Sequence, residues 1–212
     1  MVERENIDYR AELLRKAIHL CSLSIPVIYF FISREAALAI LIPITAGFLA
    51  VDLARYYHPP TAKLFYLVFG RMLRSHEMSG TRRRLNGATH VLLSATLCVL
   101  IFPKLITVTA FAILIMSDSS AALIGRRWGK HPLLTKSREG SLAFFVSALL
   151  VVAVAPKYGL GWGEFAIGAV GALIGTVVEL TSVNIDDNFS IPLAIGAAMW
   201  VLYAVFYSGT PF

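Results

Sequence analysis

The amino-acid sequence predicts an all-α, polytopic integral membrane protein with about seven transmembrane helices and a cytoplasmic N-terminus. First, 57% of its 212 residues are hydrophobic and only 15% are charged, whereas a typical soluble domain has roughly 25% charged residues. Second, apolar runs of membrane-spanning length recur along the whole chain. Third, the lysines and arginines fall almost entirely on one side of those runs. These observations argue against a disordered chain and against a soluble globular domain.

Seven apolar runs define the predicted helices. An α-helix needs about 20 mostly apolar residues to cross a bilayer. The runs cover residues 17–33, 36–54, 87–103, 105–124, 141–155, 163–180 and 191–208. No change in composition indicates a soluble domain, so residues 1–212 are expected to form a single membrane domain. The residues before the first run are mixed in charge, and we therefore expect that run to be a retained span and not a cleaved signal peptide.

The distribution of positive charge orients these spans. The N-terminal segment 1–16 contains four lysines and arginines, the connection 55–86 contains seven and the connection 125–140 contains five. With seven crossings these segments share one side, which carries 16 of the 19 basic residues. Cytoplasmic segments of membrane proteins are enriched in lysine and arginine. The sequence therefore predicts that the N-terminus and both basic connections face the cytoplasm.

Three carboxylates lie inside or at the end of apolar runs, in the half of the membrane that faces the cytoplasm. They are Asp52, Asp118 and Glu179. A carboxylate at membrane depth is costly and usually faces the bundle interior, where it is paired or binds a metal. For Asp52 a structural ion pair with Arg55, on the same helical face, is an equally good explanation. For Asp118 a functional role is favoured because of the residues that follow it.

Glycines alternate with cations after Asp118. The residues of this stretch that we single out are Gly125, Arg126, Arg127, Gly129, Lys130, Lys136, Ser137, Glu139 and Gly140. Glycine lets backbone amides approach a phosphate, and arginine and lysine neutralise its charge, so the pattern predicts a phosphate-binding site. It is not a Walker A loop, because the spacing is one residue short and His131 stands where Ser or Thr is required. The alternative is a basic loop that only fixes topology.

The sixth run and the turn after it contribute a second set of polar residues. Gly171, Gly175 and Glu179 recur every fourth residue, so close helix packing at the glycines would turn Glu179 toward the bundle interior. The turn that follows is rich in side-chain oxygens, with Asp187 and Asn188 among them. These oxygens suit Mg²⁺, which binds carboxylates together with phosphates. Capping of the next helix, by Asn188 or by the serine two residues later, explains the same composition equally well.

Two further segments are polar or basic at the predicted cytoplasmic surface. Arg15, His19 and Ser22 form a stripe on one face of the first span, although a single histidine there is more often a packed residue than a catalyst. The connection 55–86 mixes basic with aromatic and apolar residues, which is typical of an interfacial segment on anionic lipid. Nucleic-acid binding is not expected, because these cations belong to short loops at a membrane surface.

With these residues in place, the chain resembles the CTP-dependent lipid kinases, the family that includes dolichol kinase, phytol kinase and the yeast-type diacylglycerol kinase. The resemblance runs from about residue 15 to residue 192. Its most specific part, residues 118–141, has the family's Asp, Ala-Ala-Leu-Ile-Gly-Arg, Gly-Lys and Lys-Ser-x-Glu-Gly-Ser elements. Ser117 departs from the pattern, since a glycine commonly precedes the aspartate there.

Shorter elements extend the resemblance to both ends of the chain. They are Arg15-Lys16-Ala17-Ile18-His19 at the opening, Glu77 and Gly80 with Gly87-Ala88-Thr89 in the middle, and Glu179 with Asp187-Asn188-Phe189-Ser190-Ile191-Pro192 at the close.

The resemblance implies transfer of the terminal phosphate of CTP to a polyprenol, a phytol-like alcohol or diacylglycerol. It implies three groups of site residues, with Mg²⁺ or another divalent cation as cofactor. Asp118, Glu179 and Asp187 would be catalytic, with Asp118 and Asp187 as metal ligands or one carboxylate as the proton acceptor. The nucleotide would contact the glycine-rich, basic stretch after Asp118 and also Asn188. Arg15, His19 and Glu77 would lie on the lipid side.

Other interpretations remain open. The stretch after Asp118 also resembles phosphatidate cytidylyltransferases, but their downstream Lys-Asp and Gly-His-Gly-Gly elements are missing. A transporter or flippase is compatible with intramembrane carboxylates and a glycine-rich helix, yet no polar residue clearly lines the outer half. A non-catalytic membrane scaffold would bind no nucleotide.

Overall fold

A computed structural model describes residues 9–69, 85–182 and 185–208, and it is almost entirely helical. The predictions for Glu77 and Gly80 lie outside these residues. The helices in chain order are α1 (Tyr9–Cys21), α2 (Ser24–Phe31), α3 (Arg34–Ala54), α4 (Pro59–Phe69), α5 (Gly87–Ile101), α6 (Lys104–Trp128), α7 (Arg138–Val154), α8 (Gly163–Thr181) and α9 (Asp187–Phe206). Strands β1 (Pro132–Leu133) and β2 (Lys136–Ser137) pair antiparallel. The predicted all-α class is confirmed.

Five stretches are long and apolar enough to cross a membrane. They are Leu13–Phe31, Arg34–Ala54, Lys104–Trp128, Gly163–Thr181 and Asp187–Phe206, and Gly87–Ile101 is a shorter apolar helix. These helices identify the chain as an integral membrane protein. The number of seven crossings and the cytoplasmic side of the N-terminus stay predictions.

The first predicted span is broken in two. Helix α1 ends at Cys21 and α2 begins at Ser24. Pro26 explains the break, because its ring conflicts with a helical carbonyl four residues earlier and it has no N–H to donate. The chain turns tightly instead, with the Ser22 N–H donating to the His19 carbonyl oxygen (2.9 Å).

The predicted basic loop 125–140 is shorter in the structure. Helix α6 continues through Trp128, and α7 begins at Arg138. The expectation that the helix ends near residue 124 was wrong, because glycine and arginine carry no stop signal when the helix packs well on a neighbour. Only a short hairpin of strands β1 and β2 remains between the two helices.

Helix α6 is the centre of the bundle. About 61% of the residues in its most apolar stretch are buried, against 17% to 39% in the other candidate spans. Its Phe111, Ile113, Leu114 and Ile115 are among the most deeply buried side chains. Helices α1, α2, α7 and α9 pack around it, so Asp118 on α6 lies within reach of several helices.

Small residues bring α8 against its neighbours, as the sequence predicts. A Cβ added at Gly171 would lie 3.0 Å from Met199 Cγ, and one at Gly175 would lie 2.7 Å from Ile195 Cδ1. Both partners are on α9. Glu179, on the same face, is only 3% exposed. The predicted inward orientation of Glu179 is therefore confirmed.

Asp52 is a structural residue that joins α3 to α5. Its Oδ1 lies 2.8 Å from Arg55 Nε, and its Oδ2 accepts a 2.7 Å hydrogen bond from the Asn86 N–H. The Arg55 guanidinium lies over the Phe65 ring of α4, 4.3 Å from its centroid. Of the two explanations for Asp52, the structure supports the ion pair.

A fourth buried carboxylate, which the sequence analysis did not single out, lies at the other end of α8. Glu164 is 1% exposed and accepts 2.7 Å hydrogen bonds from the N–H groups of Tyr158 and Leu160. The Tyr203 hydroxyl on α9 donates a third, at 3.1 Å. Glu164 thus fixes the connection between α7 and α8.

We expect Gly196→Ala to destabilise the bundle. The new Cβ would lie 2.5 Å from Phe102 Cε2, and the buried Phe102 ring cannot retreat because it packs edge-on against Trp200. Overpacking of this kind costs about 1–3 kcal/mol, measurable as a lower Tm in detergent. The control is Gly47→Ala, since nothing lies within 4 Å of that position. An equal loss of Tm in both variants would contradict the close contact.

We expect Asp52→Ala to be among the most destabilising single changes. It leaves the Arg55 side chain, which is 0% exposed in this pair, without its carboxylate, and breaking a buried ion pair costs about 3–5 kcal/mol. Thermal unfolding should show a large fall in Tm. The exposed Glu35, in the first turn of the same helix, is the comparison, and Glu35→Ala should leave Tm nearly unchanged.

Candidate active site

The first half of the site forms where α1 crosses α6. Asp118 is buried on α6, and Lys16 on α1 forms an ion pair with its Oδ2. His19, one turn after Lys16, places Nε2 3.5 Å from the same oxygen. This geometry follows from helical spacing, because residues three apart share a face. Asp118 and His19, which the sequence analysis assigned to catalysis and to the lipid side, are therefore brought together.

The second half of the site is built around Lys136 at the start of strand β2. Its ammonium lies 3.0 Å from Glu179 Oε1 on α8 and 2.9 Å from Asp187 Oδ2 at the start of α9. Ser141 on α7 donates a 3.4 Å hydrogen bond to the other Glu179 oxygen. One lysine thus bridges the two carboxylates that the sequence assigns to catalysis.

Electrostatic coupling joins the two halves. Burial by itself lowers the pKa of Lys136, but the carboxylates of Asp187, Glu179 and Asp118 outweigh it and raise the pKa above its usual value. Lys136 therefore stays protonated throughout the physiological range. The predicted catalytic residues Asp118, Glu179 and Asp187 thus lie within electrostatic range of one ammonium.

The glycines of the predicted phosphate loop serve a close helix crossing. A Cβ at Gly125 would lie 3.3 Å from the Gly140 Cα and 3.0 Å from Ser137 Oγ. The Ser137 hydroxyl accepts a 3.1 Å hydrogen bond from the Gly140 N–H and so caps α7. A Cβ at Gly129 would also meet Ser137, at 2.7 Å from Oγ. These contacts hold strand β2, and hence Lys136, over the ends of α8 and α9.

Glu139 holds the hairpin closed. Its Oε1 lies 2.7 Å from His131 Nδ1, and the His131 N–H points at both carboxylate oxygens from 3.3 Å. Its predicted contact with the nucleotide stays a prediction.

Three cations stand at the exposed edge of this hairpin. They are Arg126, Arg127 and Lys130. These three exposed cations, here called the basic rim, supply positive charge of the kind that a polyphosphate requires.

Helix α5 positions the start of α9. The Ser94 hydroxyl donates a 2.7 Å hydrogen bond to the Asn188 carbonyl oxygen, and His90 Nδ1 lies 3.9 Å from Asp186 Oδ2. The residue that caps α9 is Asp186, whose side chain accepts from the Asn188 N–H at 3.0 Å. The expectation that Asn188 or Ser190 is the cap was wrong, because the helix begins at Asp187, two residues earlier than a cap at Asn188 would require.

The carboxylates fit a cation that is completed by phosphate oxygens. Within residues 9–69, 85–182 and 185–208, no group of three or more His, Cys, Asp or Glu side chains could hold a metal ion. Asp187 Oδ1, however, is buried without a hydrogen-bond partner. Mg²⁺ usually binds one or two carboxylates together with substrate phosphates and not a cage made only of protein. The predicted ligands Asp118 and Asp187 suit that mode.

Sequence reasoning missed two groups of this site. Lys16 was quoted within the opening motif but was not assigned to the site, and the hydroxyl of Ser94 carried no signal because serines are common in apolar helices. Of the predicted lipid-side residues, Arg15 precedes Lys16 on α1 and is half-buried. Glu77 lies in the part of the chain that the structure leaves undescribed.

Comparison with known proteins finds relatives that align with most or about half of this chain. It is 34% identical over 190 residues to an uncharacterized protein of Rickettsia prowazekii, with 88% of this chain and 92% of the relative covered. It is 25% identical over 171 residues to a CTP-dependent diacylglycerol kinase of Schizosaccharomyces pombe, with 71% and 74% covered. A probable chloroplastic phytol kinase of Oryza sativa is 34% identical over 134 residues, with 56% and 43% covered.

No family profile and no solved structure matches the chain. The relatives of known type nevertheless agree with one another, since diacylglycerol kinase and phytol kinases recur among them. The aligned length covers most of this chain in the yeast comparison. The chain is therefore similar to a CTP-dependent diacylglycerol kinase and to phytol kinases, and these relatives support a CTP-dependent lipid kinase family.

Proposed function

We propose that the protein transfers the terminal phosphate of CTP to the hydroxyl of a lipid alcohol, either a polyprenol, a phytol-like alcohol or diacylglycerol. The observation that carries the proposal is the pairing of Asp118, Glu179 and Asp187 with Lys16 and Lys136, close in the chain to the exposed basic rim. The relatives named as CTP-dependent diacylglycerol kinase and phytol kinase support this choice of donor and acceptor.

The basic rim suits the donor. Phosphoryl transfer depends mainly on positioning and on neutralising charge, with little covalent chemistry for the protein to perform. Arg126, Arg127 and Lys130 would bind the phosphates of CTP at the exposed edge, and Lys136 would reach them from below. The tight contact between Gly125 and Gly140 keeps bulky side chains away from that space.

The carboxylates suit the reacting end. A divalent cation bound there would neutralise charge on the donor phosphates. Asp118 and Asp187 are the proposed ligands, and Glu179 or one of these two would accept the proton of the lipid hydroxyl. The acceptor would approach from the bilayer along α1, which carries Arg15 and His19 toward Asp118.

We also propose that this site faces the cytoplasm. The basic residues of the hairpin between α6 and α7 support that orientation through the enrichment of lysine and arginine in cytoplasmic loops. The connection between α7 and α8, which Glu164 fixes, would then lie on the outer side.

We expect Asp118→Asn to lower the rate of CTP-dependent lipid phosphorylation by about 10²-fold or more, since it removes a charge from the reacting end. The purified variant would be assayed with labelled CTP, Mg²⁺ and each of the three lipid alcohols, with products identified by mass. Glu35→Gln, an exposed carboxylate far from the site, should keep full activity.

The products of the same assay decide between reaction types. CDP and a phospholipid identify a kinase, whereas pyrophosphate and a CDP-lipid identify a cytidylyltransferase. Full activity of Asp118→Asn would contradict the assignment of Asp118.

The orientation is tested by labelling single cysteines in sealed right-side-out vesicles, after replacement of Cys21 and Cys98 by alanine. Trp162→Cys, at a position that is 87% exposed, should react with a membrane-impermeant maleimide from outside. Lys130→Cys should react only after permeabilisation, because α7 would cross the bilayer and place its two ends on opposite sides of the membrane. The reverse pattern would place the site outside.

A further inference from the structure

Each of the three carboxylates at the site already holds a cation, and that cation is a lysine ammonium. Asp118 pairs with Lys16. Lys136 serves both Glu179 and Asp187, at 3.0 and 2.9 Å. The ion pairs join segments far apart in the sequence, since Lys16 and Asp118 are 102 positions apart. This degree of pairing is a feature that the proposed function does not by itself explain.

Burial makes such pairing necessary when no ligand is bound. Lys16 is 4% exposed and Glu179 is 3% exposed, and an uncompensated charge in such a place is strongly unfavourable. Three carboxylates against two ammoniums leave one negative charge in the cluster. A divalent cation that joined this cluster would share carboxylates with the ammoniums and would repel them, because all of these charges are positive.

We propose that Lys16 and Lys136 are placeholder cations, which hold the carboxylates while the site is empty and move onto the donor phosphates when the divalent cation and nucleotide arrive. This inference rests on the proposed function. It assigns Lys16 a contact with phosphate that the sequence motifs did not give it. A lysine suits this exchange, since its ammonium is a compact charge on a flexible four-carbon chain.

One oxygen shows where the exchange begins. Asp187 Oδ1 is buried without a hydrogen-bond partner, whereas Oδ2 of the same carboxylate is held by Lys136. The free oxygen would be available to hold a divalent cation, and a cation there would repel the Lys136 ammonium from the second oxygen toward the donor phosphates. Asp118 would gain the cation in the same way as Lys16 leaves.

The proposal predicts that removal of a site lysine changes the affinity for the divalent cation in an unusual direction. If Lys16 competes with the divalent cation, its removal strengthens cation binding in the nucleotide-free protein. If Lys16 is only a structural partner of Asp118, its removal disturbs the carboxylate and leaves cation binding unchanged or weaker. Activity falls in both cases, so the cation affinity is the quantity that separates them.

The test measures Mn²⁺ binding to the full chain in detergent without nucleotide, by the loss of the free Mn²⁺ electron paramagnetic resonance signal. We expect Lys16→Met to bind Mn²⁺ about tenfold more tightly than the unaltered protein, the scale expected from removing one adjacent unit charge. An unchanged or weaker affinity would overturn the proposal.

Two matched variants control for the substitution itself. Lys16→Arg keeps the charge and should keep the original Mn²⁺ affinity. Lys104→Met removes a lysine from the far end of α6, the helix that carries Asp118. The Lys104 ammonium donates to the Ile32 carbonyl oxygen there, and its removal should also leave the Mn²⁺ affinity unchanged. A gain of affinity in Lys104→Met would show that net charge, and not competition at the site, is responsible.

Stability gives an independent measurement if Lys16→Met is poorly folded without ligand. A ligand that binds only the folded state raises Tm, and Mn²⁺ should raise the Tm of Lys16→Met more than that of the unaltered protein. No such gain would also overturn the proposal.

Asp118→Asn separates this inference from the proposed function. If it abolishes Mn²⁺ binding while Lys16→Met fails to improve it, the ligand assignment stands and the placeholder role is wrong. If Asp118→Asn binds Mn²⁺ normally, the metal assignment in the proposed function is wrong as well.

Discussion

The compensation of buried charge is the constraint on which this structure depends. Carboxylates at membrane depth are tolerated only when a cation or several donors satisfy them. The protein meets this requirement at Asp52 with an arginine from the same helix, and at Asp118 with a lysine from α1. At Glu164 it uses two backbone N–H groups and a tyrosine hydroxyl. Each solution ties a different pair of segments together, so the charges also determine how the helices are placed.

Small residues make these pairings geometrically possible. Gly125 and Gly140 let α6 and α7 approach until an added Cβ would contact the opposite backbone. That approach leaves room for a hairpin of only nine residues between the helices and brings Lys136 over α8 and α9. Gly171 and Gly175 do the same for α8 and α9. Close helix packing at glycines thus makes the ion pairs between the helices possible.

Features that follow from local pattern were predictable from the sequence. Apolar runs gave the helices, and the spacing of Gly171, Gly175 and Glu179 gave the inward face of α8. The break before Ser24 was missed although Pro26 is a local signal for it, and the extension of α6 to Trp128 was missed because it depends on how the helix packs on its neighbour. The partner of Asp118 was missed for a similar reason. Lys16 resembles any other basic residue at the start of a span until the fold places it beside a carboxylate 102 positions away.

The capping of α9 shows the same limit. The turn before this helix contains several side chains able to cap it. Asp186 is the cap because of where the chain leaves α8 and because the Ser94 hydroxyl donates a hydrogen bond to the Asn188 carbonyl oxygen. Residue types therefore predicted several of the side chains that meet here, whereas their exact bonding required the fold.

The long separation between Lys16 and Asp118 also has a consequence for biosynthesis. During cotranslational insertion Lys16 enters the interface roughly a hundred residues before its carboxylate is made, and its long side chain can keep the ammonium in the headgroup region meanwhile. Lys136 likewise precedes Asp187 by 51 positions. The Lys16–Asp118 pair can close once α6 has been made, whereas Lys136 gains Asp187 only when α9 follows, so α9 completes a cluster that α1 began.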